Sequence, residues 1–472
     1  MAVAPADLRW HEEVDVGIVG AGGCGLAAAH AAARPDLKVV IWEKAAAAGG
    51  TTALSAGLIA AAGTPQQRAA GIFEAGDDLL NDVRARNGGR SDPALTSQLC
   101  ASAAGLVEWL NQGLGLRLEL AGQRGDAGHA RPRLHAPPSR SGKELTDGLV
   151  RLLERRAIRL RLSTPVLQLW TDTGGSVIGV RIKVPRKSAA NVRCHKLILA
   201  TNGFGANREL VAQHCAAAVA LPYVGVATST GDALGWAAEI GAATRDTDAY
   251  EPYATVAMGS NLLIPWAVVD DGAILVTQRG ERFADETRGP AVLATLLLAQ
   301  PGRVAYEILD AHILQAVASH DPHFAAAVVP RVLRRAEDAE GLAKQFQIAP
   351  DALARTVASY NSAVTNGGDP FGRSAFGAPL APPFYGVRVG AALLQTLGGL
   401  AIDTHARVVR ADGTPIPNLY AGGGAAVGIS GPGSDGYLHG TGLLCALGWG
   451  KIAGEHAAQE LLGGTGSVNQ ND

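Results

Sequence analysis

The chain lacks the features that attach a protein to a membrane or to nucleic acid. Its 472 residues contain no apolar run near the roughly 20 residues that a bilayer-spanning helix needs. The formal net charge is only −2 and both signs are interspersed, so no basic surface for nucleic acid is expected. Asp7, Arg9 and Glu12 stand directly before the first apolar run, unlike the uncharged core of a signal peptide. We expect a cytoplasmic protein that acts on a small molecule.

Cysteine is scarce and irregularly spaced. No C-x-x-C or C-x-x-C-H pattern occurs, which excludes an attached c-type haem and argues against a zinc or iron–sulfur site. Scattered cysteines in odd number are typical of reduced, buried thiols. We therefore expect no metal in this chain and an electron acceptor that is external to it. The five cysteines are Cys24, Cys100, Cys194, Cys215 and Cys445.

Glycine, in contrast, is abundant, with 60 residues. The first group lies in a strand–helix–strand pattern: apolar residues 14–20 lead into GAGGCG at 20–25, and 38–44 form a second apolar segment. A GxGxxG turn in such a unit, followed about twenty residues later by an acid, is typical of dinucleotide binding. Here the acid is Glu43.

Each residue of this fingerprint has a physical purpose. Gly20 permits the turn, Gly22 lets a pyrophosphate approach the backbone, and Gly25 lets the helix pack against the strand. The helix N-terminus favours the phosphate charge. Glu43 can accept both hydroxyls of a ribose and would repel a 2′-phosphate. The pattern predicts a nucleotide site, and an ordinary glycine-rich turn is the alternative.

Segments beyond the fingerprint bear on which dinucleotide binds, because NAD and FAD share it. In GGTTALSAG at 49–57, the amides and the hydroxyls of Thr51, Thr52 and Ser55 can line a pyrophosphate and a flavin. Val166, in a predicted strand, can hold an adenine through its main chain. Near the C-terminus, a glycine-rich entry leads into a long helix whose N-terminus would face an anion such as reduced flavin.

Together these segments resemble the fumarate reductase/succinate dehydrogenase flavoprotein family, which includes ketosteroid dehydrogenases and tricarballylate dehydrogenase. The matches run from residue 14 to residue 458, in the order that the family has. The matching segments are GAGGCG, GGTTALSAG, ATNGFGANREL, STGDALGWAAEIGA, GERFADE, TLGGLAIDTHARV and NLYAGGGAAVG.

The resemblance implies an α/β fold with two domains. A Rossmann-type FAD-binding domain would comprise residues 1–245 and 375–472, with an inserted α+β capping (substrate) domain at 246–374. Some relatives attach FAD through a histidine near the GGTTALSAG stretch, which contains none here, so we expect non-covalent FAD. The expected cofactor-binding residues are Gly20, Gly22, Gly25, Glu43, Lys44, Gly50, Thr51, Thr52, Ser55, Ala56, Gly57, Val166, Thr201, Gly203, Asp232, Gly424, Gly442, Leu443 and Leu444.

The family moves a hydride between flavin N5 and a saturated carbon activated by a neighbouring carbonyl or carboxylate. Fumarate reductases hold substrate carboxylates with a histidine in H-T-M-G-G and an arginine in N-R-L-G-G-N. This chain has Gln395 and Tyr437 at those places. Because a dianion that leaves water needs strong charged donors, the two replacements argue against fumarate or succinate as substrate.

Ketosteroid dehydrogenases place a tyrosine at the second position, in Y-P-G-P-G, where its hydroxyl and a backbone amide bind the ketone oxygen. Tyr437 matches that tyrosine, and the amide of Gly440 or Thr441 can supply the second donor. Leu438 and His439 replace the family's next residues, so the loop differs. The alternative is that Tyr437 only packs beneath the capping domain.

The proton-handling group has several candidates. Arg288 lies two residues before the place of the fumarate reductase arginine; it can shuttle the proton, anchor a substrate carboxylate, or be a surface residue. His439 can act as a base, with a structural role as the alternative. Tyr250 and Tyr253 can wall the substrate or pack in the core, and Gln395 is expected at the substrate.

The sequence thus predicts an FAD-dependent oxidoreductase of CH–CH groups that desaturates a small cyclic or activated ketone, or reduces the enone. Tyr437 and an amide would polarise the carbonyl while an α-proton is removed and a β-hydride passes to flavin N5. The first alternative is a fumarate-reductase-like or tricarballylate-like enzyme of an unsaturated carboxylate, favoured by the likeness of residues 297–313 to tricarballylate dehydrogenases. The second is a non-catalytic FAD-binding subunit.

Overall fold

A computed structural model describes residues 3–121, 128–185, 188–321 and 324–464. The strands are β1 (Glu12–Val19), β2 (Val39–Trp42), β3 (Ile59–Ala60), β4 (Glu119–Ala121), β5 (Leu134–Ala136), β6 (Arg159–Arg161), β7 (Val166–Thr171), β8 (Val177–Ile182), β9 (Ala190–Leu199), β10 (Thr244–Arg245), β11 (Tyr250–Ala257), β12 (Leu262–Leu263), β13 (Ile274–Val276), β14 (Ala305–Asp310), β15 (Arg334–Ala336), β16 (Phe384–Thr396), β17 (Gly399–Leu400), β18 (Arg407–Val409) and β19 (Pro415–Ala421).

The α-helices are α1 (Gly23–Ala32), α2 (Gly50–Leu54), α3 (Pro65–Ala69), α4 (Gly76–Asn87), α5 (Pro93–Glu108), α6 (Gly142–Arg151), α7 (Arg208–His214), α8 (Asp232–Ile240), α9 (Ala267–Asp270), α10 (Pro290–Leu298), α11 (Ala311–His320), α12 (Val329–Val332), α13 (Ala339–Phe346), α14 (Pro350–Asn366) and α15 (Thr441–Gly464). Within the described ranges, every helix is too short or too polar to span a bilayer.

The first sheet has the strand order β18-β19-β9-β1-β2-β6. All pairs from β19 to β6 are parallel. The first half of β9 also pairs antiparallel with β8, which pairs with β7. Val16, Ile18 and Trp42 are fully buried, as expected for parallel strands that are covered on both faces. The sheet explains why β1 and β2 have nearly continuous apolar sequences.

The second sheet is antiparallel throughout and has its own apolar core. Its order is β12-β11-β16-β14-β13, and β15 also pairs with β16. The first core surrounds the parallel sheet, and the second core surrounds this one. The α/β class predicted from the sequence is confirmed. The domain boundaries near residues 246 and 374 stay predictions; β16, which completes the second sheet, follows residue 374.

Small residues let α1 and α15 approach closely beside the parallel sheet. A Cβ on Gly450 would lie 2.3 Å from the Cys24 carbonyl oxygen, and one on Gly454 would lie 2.2 Å from the Ala28 carbonyl oxygen. Only glycine fits at such backbone contacts. The alanines of α1 and the glycines of α15 therefore allow these two helices to pack closely. The pair joins the N-terminal and C-terminal parts of the chain.

A buried ionic network braces the second core. Glu286 is fully buried and accepts hydrogen bonds from Arg282 Nε at 2.8 Å and Arg373 Nη1 at 3.1 Å. Arg282 also pairs with Asp369. Removing one partner of such a network would leave an uncompensated buried charge. The network fixes the turn at Glu286–Arg288, which leads into α10.

Candidate active site

The glycine-rich turn after β1 has the geometry that a nucleotide requires. Gly20 has φ of +107°, and a Cβ there would lie 2.3 Å from the Ala200 carbonyl oxygen. A Cβ on Gly25 would lie 1.9 Å from the Gly20 carbonyl oxygen. Gly22 differs, because a Cβ there would meet nothing closer than the Gly49 carbonyl oxygen at 3.9 Å. Its open side leaves room for a ligand at the N-terminus of α1.

Glu43 lies beside this turn with its carboxylate buried. Its Oε2 accepts a 2.7 Å hydrogen bond from the Ala21 amide, and its Oε1 accepts one of 2.7 Å from the Ala45 amide. Each carboxylate oxygen keeps acceptor capacity for a ribose hydroxyl. Lys44 Nζ donates to Asp232 Oδ2 at 2.9 Å. These two predicted cofactor residues therefore form one ion pair between the segment after β2 and α8.

Val166 lies at the start of β7, close to Glu43. Two residues earlier, the Thr164 amide donates a 2.8 Å hydrogen bond to the Glu43 carbonyl oxygen. Val166 itself is buried, and it pairs with Ile182 of β8. The fold thus brings the predicted adenine contact next to the predicted ribose contact.

The GGTTALSAG loop is tied to the turn by its threonines. Thr52 Oγ1 accepts a 3.1 Å hydrogen bond from the Gly23 amide at the start of α1. Thr51 Oγ1 accepts one of 2.7 Å from Asn202 Nδ2, just after β9. Ser55 instead donates its hydroxyl to the Thr52 carbonyl oxygen at 2.7 Å. Thr51 and Thr52 therefore join three segments, whereas Ser55 closes the loop on itself.

The small residues of this loop have different surroundings. Gly50, at φ of +52°, lies against the turn, since a Cβ there would be 3.4 Å from Gly22 Cα. Gly57, at φ of +71°, is packed against Pro137. Ala56 is exposed. Gly50 therefore lies next to Gly22 at the open space of the turn. Gly57 has a positive φ that the conformation of the loop requires.

Three further predicted cofactor residues line the ends of β9 and β19. Thr201 Oγ1 is buried and has no hydrogen-bond partner among the described residues. Such a hydroxyl is costly unless a ligand or water satisfies it. A Cβ on Gly203 would lie 2.1 Å from Thr396 Oγ1, and one on Gly424 would lie 2.6 Å from Asn202 Oδ1. Thr201 thus offers a ligand contact, and the two glycines permit close packing.

The turn before α15 corrects one expectation. The Thr441 amide and hydroxyl both donate to the Leu438 carbonyl oxygen, at 3.1 and 2.6 Å, so this amide is not available for a ketone oxygen. Gly440, the other predicted donor, has a φ of +81°, and its amide acts on the Tyr437 hydroxyl. The Leu444 side chain is fully buried in the first core, and Leu443 is half-buried; both stay predicted cofactor residues.

Three polar side chains converge at the N-terminus of α15. A Cβ on Gly442 would lie 3.0 Å from the Tyr437 hydroxyl oxygen and 3.1 Å from Gln395 Nε2, so any larger residue there would press on both side chains. Gln395 Nε2 donates a 2.7 Å hydrogen bond to Glu251 Oε2. Glu251, on β11, is 3% exposed. We call Glu251, Gln395 and Tyr437 the polar cluster.

Burial dominates the electrostatics of the polar cluster. Burial raises the pKa of Glu251 to about 7, although the Gln395 hydrogen bond opposes the shift. Burial and the Glu251 charge raise the pKa of Tyr437 well above its ordinary value, and the amides of Gly442 and Gly440 act in the opposite direction. These amides therefore face the hydroxyl oxygen. Among the described residues no acceptor bonds the Tyr437 hydroxyl, so its proton can be donated to a ligand oxygen.

His439 is poorly suited to be the base. Its carbonyl oxygen is bonded to His129 Nε2 at 2.8 Å, and its Nδ1 is buried without a partner among the described residues. Burial lowers the pKa of His439 to about 4. The imidazole is neutral at pH 7 and only weakly basic, since general-base efficiency is best when the pKa is near the working pH.

Arg288 lies at the edge of this site and is exposed. Its carbonyl oxygen accepts a 3.4 Å hydrogen bond from Arg86 Nη1, and Arg86 Nε donates to the Tyr437 carbonyl oxygen at 3.0 Å. Burial lowers the pKa of Arg86. The Asp435 charge raises this pKa, and the Arg288 charge lowers it further. Two guanidinium groups thus lie near each other beside the Tyr437 loop.

The two tyrosines of β11 have different environments. Tyr250 is nine-tenths buried in the second core, where its side chain packs with apolar residues. Tyr253 is half-buried, contacts the edge of Trp266 at a centroid distance of 6.1 Å, and donates to the Ile264 carbonyl oxygen at 3.3 Å. Tyr253 therefore remains a candidate wall of the substrate site, and core packing describes Tyr250.

Glu251 has no motif in the sequence and is absent from the predicted site. The available signal is its position between Tyr250 and Pro252, in a segment that forms a buried strand. A carboxyl group there costs free energy unless it has a partner or a function. A glutamate inside an otherwise apolar strand is therefore a sequence signal for a functional residue.

Comparison with known proteins agrees with these features. Residues 15–441 match the FAD-binding domain family FAD_binding_2. The chain belongs to this family. It is 31% identical to "Fumarate reductase (cytochrome)" of Shewanella frigidimarina, over 95% of this chain and 78% of that protein. It is therefore an FAD-dependent oxidoreductase.

Two solved structures of flavoproteins are similar over nearly the whole chain. One is the open conformation of a flavocytochrome c3 fumarate reductase, with a TM-score of 0.78, 30% identity, and coverage of 96% of this chain and 79% of that one. The other is 3-ketosteroid-Δ4-(5α)-dehydrogenase of Rhodococcus jostii RHA1 with 4-androstene-3,17-dione, with a TM-score of 0.75, 26% identity, and coverage of 97% and 100%.

The residues of this flavoprotein fit an FAD. The open side of Gly22 at a helix N-terminus suits the pyrophosphate, and the buried Glu43 carboxylate suits a ribose. The orphaned Thr201 hydroxyl offers a further contact. The N-terminus of α15 supplies a positive dipole end for a reduced flavin. These positions belong to both ends of the chain, which α1 and α15 bring together.

Proposed function

We propose that this flavoenzyme catalyses the α,β-dehydrogenation of a small cyclic or activated ketone, or the reverse reduction of the enone. Its relatives include proteins named as fumarate reductases and as a ketosteroid dehydrogenase, both of which act on carbon–carbon bonds. We assign the same chemistry to this chain, with a ketone rather than a carboxylate as the activating group of the substrate. An external acceptor or donor of electrons completes the cycle.

The polar cluster carries the choice of a ketone. The Tyr437 hydroxyl and the Gln395 amide are neutral donors, which suit a carbonyl oxygen. Arg86 bonds the backbone of Tyr437, and no arginine or lysine of the described chain bonds a side chain of the cluster. A dicarboxylate would lose its hydration there without a charged partner. An ionised Glu251 would also repel it.

FAD and the residues of the polar cluster have separate roles in the proposed reaction. Bound FAD supplies the hydride acceptor or donor at its isoalloxazine ring. The Tyr437 hydroxyl donates to the ketone oxygen, and the amides facing that hydroxyl orient it. Gln395 holds the neighbouring carboxyl and limits the space at the carbonyl. Negative charge that develops on the oxygen is stabilised by donors that are already in place.

Anaerobic titration of the oxidised enzyme tests the proposal. A saturated cyclic ketone should bleach the yellow flavin, because it gives up a hydride, and succinate should leave the spectrum unchanged. Bleaching by succinate alone would contradict the proposal. If neither ketones nor carboxylates change the flavin, the protein is a non-catalytic FAD-binding subunit.

A second candidate, reduction of an unsaturated carboxylate, is favoured by Arg86 and Arg288. Their guanidinium groups interact near the Tyr437 loop, and Arg288 is exposed. Two like charges in proximity favour an anion between them. A substrate that has both a ketone and a carboxylate arm would use Tyr437 at one end and Arg288 at the other.

A further inference from the structure

The carboxyl group of Glu251 is buried, and no cation bonds it among the described residues. It lies on β11 opposite Gln395 of β16, and its hydrogen bond within the described residues is to that side chain. Glu286, in comparison, bonds two arginines. A buried acid without a cation is costly to ionise. Glu251 differs from Glu307, whose carboxyl oxygens have no partner among the described residues, because it lies beside Gln395 and near the Tyr437 hydroxyl.

The titratable groups that face Glu251 do not neutralise it. Tyr437, from the loop before α15, and Tyr253, from the same strand, both have pKa values raised by burial and further raised by the Glu251 charge. From β16 the facing group is the neutral Gln395. The carboxyl group therefore gains and loses its proton near neutral pH, with a pKa of about 7.

We propose that Glu251 is the acid–base residue of the reaction, which takes the α-proton of the ketone in dehydrogenation and returns it in enone reduction. This inference rests on the proposed function. Gln395 Nε2 lies 2.7 Å from Glu251 Oε2 and 3.1 Å from the Cβ position of Gly442, where the Tyr437 hydroxyl lies at 3.0 Å. The Glu251 carboxyl group, which would receive the proton, and the Tyr437 hydroxyl, which would hold the carbonyl, are therefore close together. This arrangement suits a ketone, because the α-carbon that loses the proton is bonded to the carbonyl carbon.

The electron balance of the dehydrogenation follows from this assignment. The α-C–H bond breaks, its proton forms an O–H bond with Glu251, and its electron pair moves between the α- and β-carbons. The β-carbon then loses a hydride to the bound FAD, which is reduced by two electrons. During the change, negative charge on the ketone oxygen is held by Tyr437. Enone reduction is the same sequence reversed, with protonated Glu251 as the acid.

The other candidates for this role are weaker. Burial holds the pKa of His439 at about 4, so it is a poor base at neutral pH. Arg288 is exposed, and a guanidinium remains protonated in proteins. Glu251 combines burial, a neighbouring carbonyl donor and a pKa near the working pH.

Proton exchange at the substrate tests Glu251 separately from flavin chemistry. The holoenzyme is reduced, so that its flavin cannot accept a hydride, and is mixed with cyclohexanone in D₂O. NMR then follows deuterium entering the α-carbon. Wild type should catalyse exchange at a rate that rises with pH through about 7, and Glu251→Gln should lose roughly 10²–10⁴-fold of this rate and its pH dependence. Glu251→Asp should keep part of both.

Glu307→Gln is the matched control. Glu307 is another fully buried glutamate of the second sheet, with a pKa raised by burial to about 8, and it lies outside the polar cluster. This variant should exchange like wild type. If Glu251→Gln exchanges at the wild-type rate, or if the wild-type profile has no inflection near pH 7, Glu251 is not the acid–base residue. If wild type neither exchanges cyclohexanone nor is bleached by any ketone, the proposed function itself has failed.

Discussion

Gln395 Nε2 donates a 2.7 Å hydrogen bond to Glu251 Oε2, and this contact joins two strands of the second sheet at the N-terminus of α15. Gln395 occupies the place at which the resemblance to fumarate reductases leads one to expect a histidine. The Glu251 carboxyl group is buried without an ion pair among the described residues, and the Gln395 amide is neutral. The relationship therefore favours a substrate that is neutral at its reacting end.

Tyr437→Phe removes one hydroxyl and almost no volume. The loss of one donor to a developing oxyanion typically lowers turnover roughly 10²–10³-fold, so ketone turnover should fall by about that factor. FAD content should be unchanged, because the hydroxyl faces Gly442 and Gln395 rather than the nucleotide turn. Steady-state kinetics with flavin content as the control measures both. An unchanged rate would reduce Tyr437 to a packing residue.

Gly22→Val should abolish FAD binding. The valine side chain would enter the open space at the start of α1, where the nearest protein atom to a Cβ is 3.9 Å away, and would occupy the place of the pyrophosphate. The variant should also unfold at a lower temperature, since a cofactor that binds the folded state stabilises it. The visible flavin absorbance of the purified protein is the measurement.

Gly105→Val is the matched control for the nucleotide turn. Gly105 lies in α5, with nothing within 4 Å of a Cβ, and this variant should keep its flavin. Acid precipitation of wild type should release all of its flavin as FAD, because the attachment is expected to be non-covalent. Normal flavin in Gly22→Val, or colour left in the acid pellet, would contradict these assignments.

Arg288→Gln separates the roles of the exposed arginine. If Arg288 anchors a carboxylate arm, the Michaelis constant for carboxylated substrates should rise roughly 10- to 100-fold, as loss of a charge-assisted hydrogen bond implies, and neutral ketones should be unaffected. If it shuttles the proton, turnover of every substrate should stop while binding is kept. Wild-type kinetics with both substrate types would show that Arg288 has neither role and is a surface residue.

Glu307→Gln should flatten part of the pH dependence of stability. Burial raises the pKa of Glu307 from 4.5 to about 8, so the folded state holds this proton more tightly than the unfolded state. Its contribution to the free energy of unfolding is present below pH 4.5 and is lost as the pH rises to about 8, at most about 5 kcal/mol at roughly 1.4 kcal/mol per pKa unit. Urea unfolding of both proteins across this range measures the difference. Parallel curves would show that Glu307 is not titrating.

Local patterns predicted the nucleotide turn well, because its residues act through short-range backbone geometry. The φ of Gly20 and the close contact of Gly25 follow from the turn itself. The pairing of Lys44 with Asp232 depends on where α8 packs, which spacing does not specify. The domain boundaries stay predictions, and β16 shows why they are difficult: a strand beyond residue 374 completes the second sheet.

The substrate side was less predictable because it depends on contacts between distant segments. Tyr437 and Gln395 were expected near the substrate from the family motifs; the structure brings them together at Gly442, and their contact with a substrate stays a prediction. Glu251 joins them only through the register of β11 on β16, which no local pattern encodes. The Thr441 amide was an unsuitable choice because its turn uses that amide internally.

The reduced enzyme and an enone give the most direct test of the central claim. Holoenzyme is reduced without oxygen and mixed in a stopped-flow instrument with cyclohex-2-enone or, separately, with fumarate. We expect rapid return of the yellow oxidised flavin with the enone, slowed roughly 10²–10³-fold in Tyr437→Phe, and no return with fumarate. Rapid reoxidation by fumarate, with the enone inert, would contradict the assignment of a ketone site.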